Sequence, residues 1–150
     1  MLRELLIAFA IVAVCGVIHV GTIVVFAQFL LRRFSPVDKL NLKRQATVLV
    51  LVFAVVILLS LIETAIWGVF YYLRGLFTNF ETALYFSLGT YSTIGYGDVV
   101  LPQRWRLLGG IEGISGVLLC GLSGAFIFAV MNALFQSRVQ RSLSKLTVLV

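Results

Sequence analysis

The chain has 150 residues, of which 61% are hydrophobic and only 12% charged, and its mean hydropathy is +1.07. This composition excludes a soluble globular domain and indicates an integral membrane protein. The net charge of +6 belongs to segments between apolar runs, so no nucleic-acid partner is expected. Cys15 and Cys120 both lie inside apolar runs, where a thiol packs as a small hydrophobe.

Three segments are long enough to cross the roughly 30 Å hydrocarbon core, which takes about 20 apolar residues. They are residues 5–31, 46–72 and 107–135. The first is too long for the apolar core of a signal peptide and is followed by two arginines, not by a small-residue cleavage site. We therefore predict that it is retained as a helix.

The 12 lysines and arginines set the predicted orientation. Eight of them lie on one side, between the first two spans or after the third: Arg32, Arg33, Lys39, Lys43, Arg44, Arg138, Arg141 and Lys145. The other side carries Arg3, Arg74, Arg104 and Arg106. The positive-inside rule places the N-terminus outside and the C-terminus in the cytoplasm. An aromatic belt is expected at the outer boundary, formed by Trp67, Tyr71, Tyr72 and Trp105.

Between the second and third spans, residues 78–92 (TNFETALYFSLGTYS) predict a short helix. Thr78 and Glu81 have the spacing of a capping box, and apolar residues recur on one helical face. Those residues are Phe80, Leu84 and Leu88. A helix of about 13 residues is only ~20 Å long and cannot cross the membrane. It must dip into the membrane, and TIGYGD must return in extended form, enclosed by protein or lining a watery path.

The returning strand contains two glycines. Because Gly95 and Gly97 can adopt positive φ without steric penalty, the strand can turn successive carbonyls the same way. The oxygens of Thr93, Ile94, Gly95 and Tyr96 then face one axis. One strand offers too few oxygens to replace the hydration shell of an ion, whereas four strands around a four-fold axis form stacked carbonyl rings that coordinate K⁺.

The stretch TALYFSLGTYSTIGYGDVVLP resembles the pore helix and selectivity filter of the potassium-channel family. The spans on either side are similar to the outer and inner helices of its two-transmembrane pore unit, and the resemblance covers roughly residues 46–135. It implies an all-α membrane protein with three transmembrane helices, a re-entrant pore helix and an extended filter, assembled as a homotetramer. The chain would divide into an extra N-terminal helix with a basic cytoplasmic loop (1–45), the pore domain (46–136) and a short basic tail (137–150).

The resemblance also implies the ion ligands. Thr93 would supply a hydroxyl and a carbonyl to K⁺, and Ile94, Gly95 and Tyr96 would supply carbonyls. Gly97 would shape the outer mouth. Ile94 stands where the family more often has valine, with its side chain turned away from the ion.

Support for the filter is expected from behind it. Asp98 would brace the outer mouth, and the ring of Tyr96 would pack into an aromatic cuff. Some family members carry a glutamate four residues before the filter threonine, where this chain has Gly89. The brace must therefore come from elsewhere, and the candidate is the hydroxyl of Tyr85.

The third span is rich in glycine, and Gly116 matches the position of the inner-helix hinge in the family. The alternative is that this glycine only allows close helix packing. Ser123 and residues 126–129 are candidates to line the lower cavity or its cytoplasmic constriction.

Two carboxylates, Glu63 and Glu112, fall inside spans at similar predicted depths. Either they brace the pore helix or filter from behind, with Glu112 a candidate for filter support, or each is protonated or hydrogen-bonded to a neighbouring helix and only packs. His19 lies near the middle of the first span and is expected to be a hydrogen-bond partner between helices, with a proton sensor as the alternative. The first span lacks the regular arginines of a voltage sensor and is expected to pack outside the pore domain, against the second span.

After residue 135 the chain offers a short basic tail, and we expect no ligand-binding gating domain there. The tail is either a short amphipathic helix, attractive to anionic lipid, or disordered. Its relevant residues are Arg138, Val139, Arg141, Leu143, Lys145 and Leu146.

The predicted function is a potassium-selective channel of the plasma membrane that conducts passively. No enzyme activity and no cofactor other than the permeant ion are expected, because the sequence has no nucleotide loop, metal-ligand cluster or nucleophile with a base. The alternatives are a weakly selective cation channel of the same fold, a non-conducting accessory subunit, and an active transporter whose flux is coupled to another ion or to ATP.

Overall fold

The computed structural model describes residues 2–34 and 41–147, with side chains described as far as residue 136. Within these ranges the chain forms α-helices and one 3₁₀ turn, and no β-strand. The helices are α1 (Leu2–Phe34), α2 (Leu42–Leu73), α3 (Phe80–Tyr91) and α4 (Arg106–Thr147), with the 3₁₀ turn Gln103–Trp105 before α4.

Three stretches are long and apolar enough to cross a membrane: Leu2–Phe34, Leu42–Leu73 and Gln103–Gln136. The three predicted spans are confirmed, and the protein is an all-α membrane protein. Each of the three spanning helices runs past its predicted ends, because a helix ends at its caps and not at the edge of the apolar run. For α2, the cap is Asn41, whose side chain accepts a hydrogen bond of 2.9 Å from the backbone N–H of Arg44.

The short α3 is confirmed, but its predicted cap is wrong. Its N-cap is Asn79, one residue after Thr78, and the Asn79 side chain accepts a hydrogen bond of 2.7 Å from the Thr82 N–H. The face buried in the protomer carries Ala83, Ser87 and Tyr91, whereas Phe80 and Leu88 are exposed. The polar residues turn inward because α2 and α4 offer them buried partners.

The core forms two clusters at opposite ends of the helices. The larger one surrounds α3 and includes Trp67, Tyr71 and Leu108, while the smaller one joins Leu30 and Leu134 near the other end. Trp67 and Tyr71 are fully buried. Their predicted place in an aromatic belt is therefore wrong. The ring of Tyr71 meets Phe86 of α3 edge-on at a centroid distance of 5.4 Å, and Trp67 packs against Tyr71.

α1 packs against α2, as predicted, and also against α4, which was not predicted. Near its start, Glu4 accepts a hydrogen bond of 2.6 Å from Arg104 in the turn before α4. This ion pair places the beginning of α1 at the same end of the bundle as the segment that follows the strand. Lys39 and the side chains of the basic tail lie outside the described residues, although the backbone of α4 continues as helix to Thr147.

Candidate functional site

Residues 93–97, after α3, are the predicted returning strand: an extended segment that is not part of a β-sheet, and its backbone alternates in handedness. Thr93, Gly95 and Gly97 have φ angles of 61°, 56° and 79°, and the intervening Ile94 and Tyr96 do not have positive φ. Left-handed residues at every second position turn successive peptide planes the same way, in contrast to the alternation of an ordinary β-strand. This is the backbone pattern that the two glycines predicted, continued to Thr93, two residues before Gly95.

Thr93 was missed as a left-handed residue. A β-branched residue at positive φ is an outlier, and such strain costs about 1–3 kcal/mol. Two hydrogen bonds hold the backbone at this point: Thr93 N–H donates to the Thr90 carbonyl, and Gly95 N–H donates to the Gly89 carbonyl, both at 3.0 Å. The spacing of the two glycines, continued back by two residues, was the available signal.

The strand is uncovered in a single protomer. Ile94 is 57% exposed and Tyr96 67% exposed, although both are large and apolar or aromatic. A cavity of about 220 Å³ lies between α3 and the strand, lined among others by Gly89, Tyr96 and Asp98. In one protomer, therefore, the strand rests on the end of α3 and leaves its other side open.

At the end of the strand that is farther from α3 along the sequence, Tyr85 and Asp98 are in contact as predicted. The Tyr85 hydroxyl donates a hydrogen bond of 2.8 Å to Asp98 Oδ2, and the Val99 N–H donates to Asp98 Oδ1 at 3.0 Å. The hydrogen bond to Asp98 raises the pKa of Tyr85 above its ordinary value, with a smaller contribution from burial. The rings of Tyr85 and Tyr96 stack with centroids 6.1 Å apart. The contact is present, and its role as a brace stays a prediction.

Glu112 reaches the pore helix and not the strand. Its carboxylate accepts a hydrogen bond of 2.7 Å from the Tyr71 hydroxyl and another from the Ser87 hydroxyl. Ser87 also lies 2.9 Å from the Thr64 carbonyl oxygen. All of these side chains are buried. Glu112 thus joins α4 to α2 and to the middle of α3, at Ser87.

Glu63 on α2 contacts the last residue of α3, as Glu112 contacts the middle of that helix. It accepts a hydrogen bond from the Tyr91 hydroxyl and lies 2.8 Å from Nδ1 of His19. The other ring nitrogen of His19, Nε2, is 3.2 Å from the Ser123 hydroxyl. The expectation that His19 is a hydrogen-bond partner between helices is confirmed.

Two predictions for the lower cavity are wrong. Ser123 is buried against His19 and faces α1. Phe126 also turns toward α1, where its ring meets Phe26 edge-on at a centroid distance of 6.4 Å. Hydropathy could not distinguish these faces because α1 supplies a polar partner at one position and an aromatic ring at the next.

Gly116 packs directly on the end of the pore helix. A Cβ atom built at this position would lie 2.1 Å from the Tyr91 carbonyl oxygen. α4 is helical on both sides of this residue. Close approach of α4 to α3 therefore requires glycine here, and the gating hinge stays a prediction.

The described residues hold no group of three or more His, Cys, Asp or Glu side chains suited to a metal ion. Three spans, a short helix and a returning strand define a multi-pass membrane protein with the layout of a channel. The family model described as "Ion channel" matches residues 45–133, which is more than half of the chain. The protein belongs to this ion channel family.

Over 64 residues the chain is 36% identical to the calcium-gated potassium channel TvoK of Thermoplasma volcanium. This alignment covers 42% of the present chain and 18% of TvoK, so the chain spans less than a fifth of that relative. No solved structure gives a significant match.

Proposed function

We propose that the protein is a homotetrameric channel that conducts K⁺ passively through four copies of residues 93–97. The observation that carries this proposal is the alternating handedness of Thr93, Gly95 and Gly97. Carbonyl groups turned the same way along a strand suit a dehydrated monovalent cation, which needs several oxygens at each site. Thr93 adds a hydroxyl to its carbonyl at the inner end, and Gly97 shapes the outer end.

The tetramer follows from what one protomer lacks. The family implies oligomeric assembly, and a single strand supplies a quarter of each oxygen ring. Four copies around a cyclic axis close the rings and bring the exposed strand into contact with its neighbours. The C-terminal end of α3, with about half a negative charge per subunit, would then point at the cavity below the filter.

The partial likeness to TvoK supports potassium as the permeant ion, since that protein is a potassium channel by name. We extend to this chain the conducted ion and not the calcium gating. The charge distribution supports the proposed topology. The N-terminus is external, the C-terminus is cytoplasmic, and the basic tail meets anionic lipid of the plasma membrane. We also propose that residues 46–136 form the pore domain, which the family match over residues 45–133 supports.

A weakly selective cation channel is the second candidate. It is favoured by Gly89, which leaves the cavity behind the strand without the glutamate found in some potassium channels. The Tyr85–Asp98 hydrogen bond argues for the first candidate because it ties the outer end of the strand to α3.

The test is ion flux through purified protein in liposomes. Reversal potentials with K⁺ on one side and Na⁺ on the other should lie near the K⁺ equilibrium value. A value near zero would select the weakly selective channel, and no flux would select an accessory subunit. Flux coupled to a second ion or to ATP would indicate a transporter.

Gly95→Ala should abolish K⁺ flux, and Gly75→Ala is its matched control. Both glycines have positive φ, 56° and 66°, and a Cβ atom added at either position would have no other atom within 4 Å. The two substitutions therefore carry similar local strain, but Gly75 lies outside the strand. Equal loss of flux in both variants would mean that strain, and not the filter, explains the effect.

A further inference from the structure

His19 joins three helices at a buried point in the bundle. From α1 it contacts Glu63 on α2 at 2.8 Å and Ser123 on α4 at 3.2 Å, and all three side chains are buried. The second oxygen of Glu63 accepts a hydrogen bond from the hydroxyl of Tyr91, which is the last residue of α3. A continuous chain of side-chain hydrogen bonds thus runs from α1 to the end of the pore helix.

We infer that His19 is a positioning residue for the filter, acting through Glu63 and Tyr91. On this inference, which rests on the proposed function, α1 is a working part of the pore and not a helix added beside it. His19 does not touch the ion. It fixes the end of α3 from which the strand departs.

Charge favours a tightly held pair. An uncompensated charge inside a membrane protein is costly, so a carboxylate and an imidazole in contact there are best accommodated when they hold one proton between them. With the proton on either partner, the Nε2–H of His19 donates to Ser123 and the Tyr91 hydroxyl donates to Glu63. The same geometry therefore satisfies every polar group of the chain.

The end of α3 transmits this restraint to the strand. Tyr91 is two residues before Thr93, and the Tyr91 carbonyl is pressed against Gly116 of α4. Thr93 keeps its left-handed backbone next to this point, with its N–H bonded to Thr90. A Tyr91 side chain released from Glu63 would leave the strained Thr93 held by fewer contacts, and the innermost ion site would loosen.

The experiment compares K⁺/Na⁺ permeability ratios of purified tetramers in liposomes for several variants. His19→Leu removes both hydrogen bonds of the imidazole, and Tyr91→Phe removes a single hydroxyl at the far end of the chain. Each should lower the ratio about tenfold, the effect of losing one buried hydrogen bond. The double variant should be no worse than the more affected single variant, because both break the same chain.

Two further variants separate positioning from packing. Glu63→Gln keeps the size and the hydrogen-bonding capacity of Glu63, and it should stay within about threefold of the wild-type ratio. Cys15→Ala, one turn from His19 on α1, removes a fully buried thiol that is not part of the hydrogen-bonded chain. It should leave the K⁺/Na⁺ permeability ratio unchanged. A loss of tetramer yield without a change in the ratio of the surviving tetramers would indicate packing alone and would overturn the inference.

Tyr91→Phe tests the role of His19 even if His19→Leu fails to fold, because the hydrogen bonds from His19 and Glu63 reach α3 through the Tyr91 hydroxyl. An unchanged ratio in Tyr91→Phe overturns the inference. If the wild-type protein itself shows no K⁺ preference, the proposed function fails first. If the wild type is selective and Tyr91→Phe matches it, only the role of His19 is lost.

Discussion

Gly116→Ala should destabilise the protein because there is no space between α4 and α3 for the added methyl group. The added Cβ would lie 2.1 Å from the Tyr91 carbonyl oxygen and 3.0 Å from its carbonyl carbon. Ordinary carbon contacts are about 3.5–4.0 Å, so α4 and α3 must separate by more than about 1 Å. The neighbouring atoms are backbone and cannot rotate away.

The cost is that of overpacking, about 1–3 kcal/mol or more. Alanine also gains about 1 kcal/mol over glycine as a helix former. Because the clash is with backbone atoms, the upper end of that range applies, and the net expectation is a loss of about 2 kcal/mol in the free energy of unfolding. Gly121→Ala on the same helix is the matched control, because nothing lies within 4 Å of its added Cβ in the protomer. It should be neutral or stabilising by up to about 1 kcal/mol.

Thermal unfolding of the two variants in detergent, followed by loss of helical signal, measures the difference, and single-channel recording supplies open probability. Gly116→Ala should unfold at a lower temperature than both the wild type and Gly121→Ala. If Gly116→Ala is as stable as Gly121→Ala and differs only in open probability, the packing argument is refuted and a hinge explains this glycine.

Two further predictions concern the contacts behind the strand. Tyr85→Phe removes the hydrogen bond to Asp98 and should speed the decline of K⁺ current during sustained conduction. In the wild type, the raised pKa of Tyr85 means that this support is fully present below its ordinary pKa of 10.0 and is lost as pH rises through the folded value. Currents of the wild type should therefore approach those of the variant only in strong alkali, and a difference that disappears near neutral pH would count against the bond. Gly89→Ala should fold and conduct, because its Cβ would meet Tyr96 at an ordinary 3.8 Å, and it should stabilise α3 by up to about 1 kcal/mol in thermal unfolding. Loss of the tetramer in this variant would show that Gly89 is needed for space in the assembly.

The architecture was readable from the sequence because it depends on length and hydropathy. Apolar runs long enough to span a bilayer give the three transmembrane helices, and a helix too short to cross must return to its own side. The Tyr85–Asp98 contact was also predictable, because Gly89 stands where some members of the potassium-channel family carry a supporting glutamate, which left Tyr85 as the candidate partner.

The buried hydrogen bonds between helices could not be predicted from length and hydropathy. Periodicity showed that Phe80 and Leu88 share one face of α3. It did not show that Ser87 and Tyr91 are buried, where they donate hydrogen bonds to Glu112 and Glu63. Such pairings depend on tertiary contacts, and the hydropathy of one segment does not contain them.

The backbone of Thr93 was missed for a different reason. Local preference argues against a β-branched residue at positive φ. Its conformation is imposed by the hydrogen bonds at the end of α3 and by the alternation that Gly95 and Gly97 begin. Local propensity fails here at the residue expected to line the innermost ion site, which is where strained backbone tends to be found.

The most direct measurement is a density map of the assembled protein in lipid with K⁺ present. It should show four copies around one axis and a column of ion peaks ringed by the carbonyl oxygens of residues 93–96. A monomer, or strands whose oxygens point away from a shared axis, would contradict the proposed conduction site.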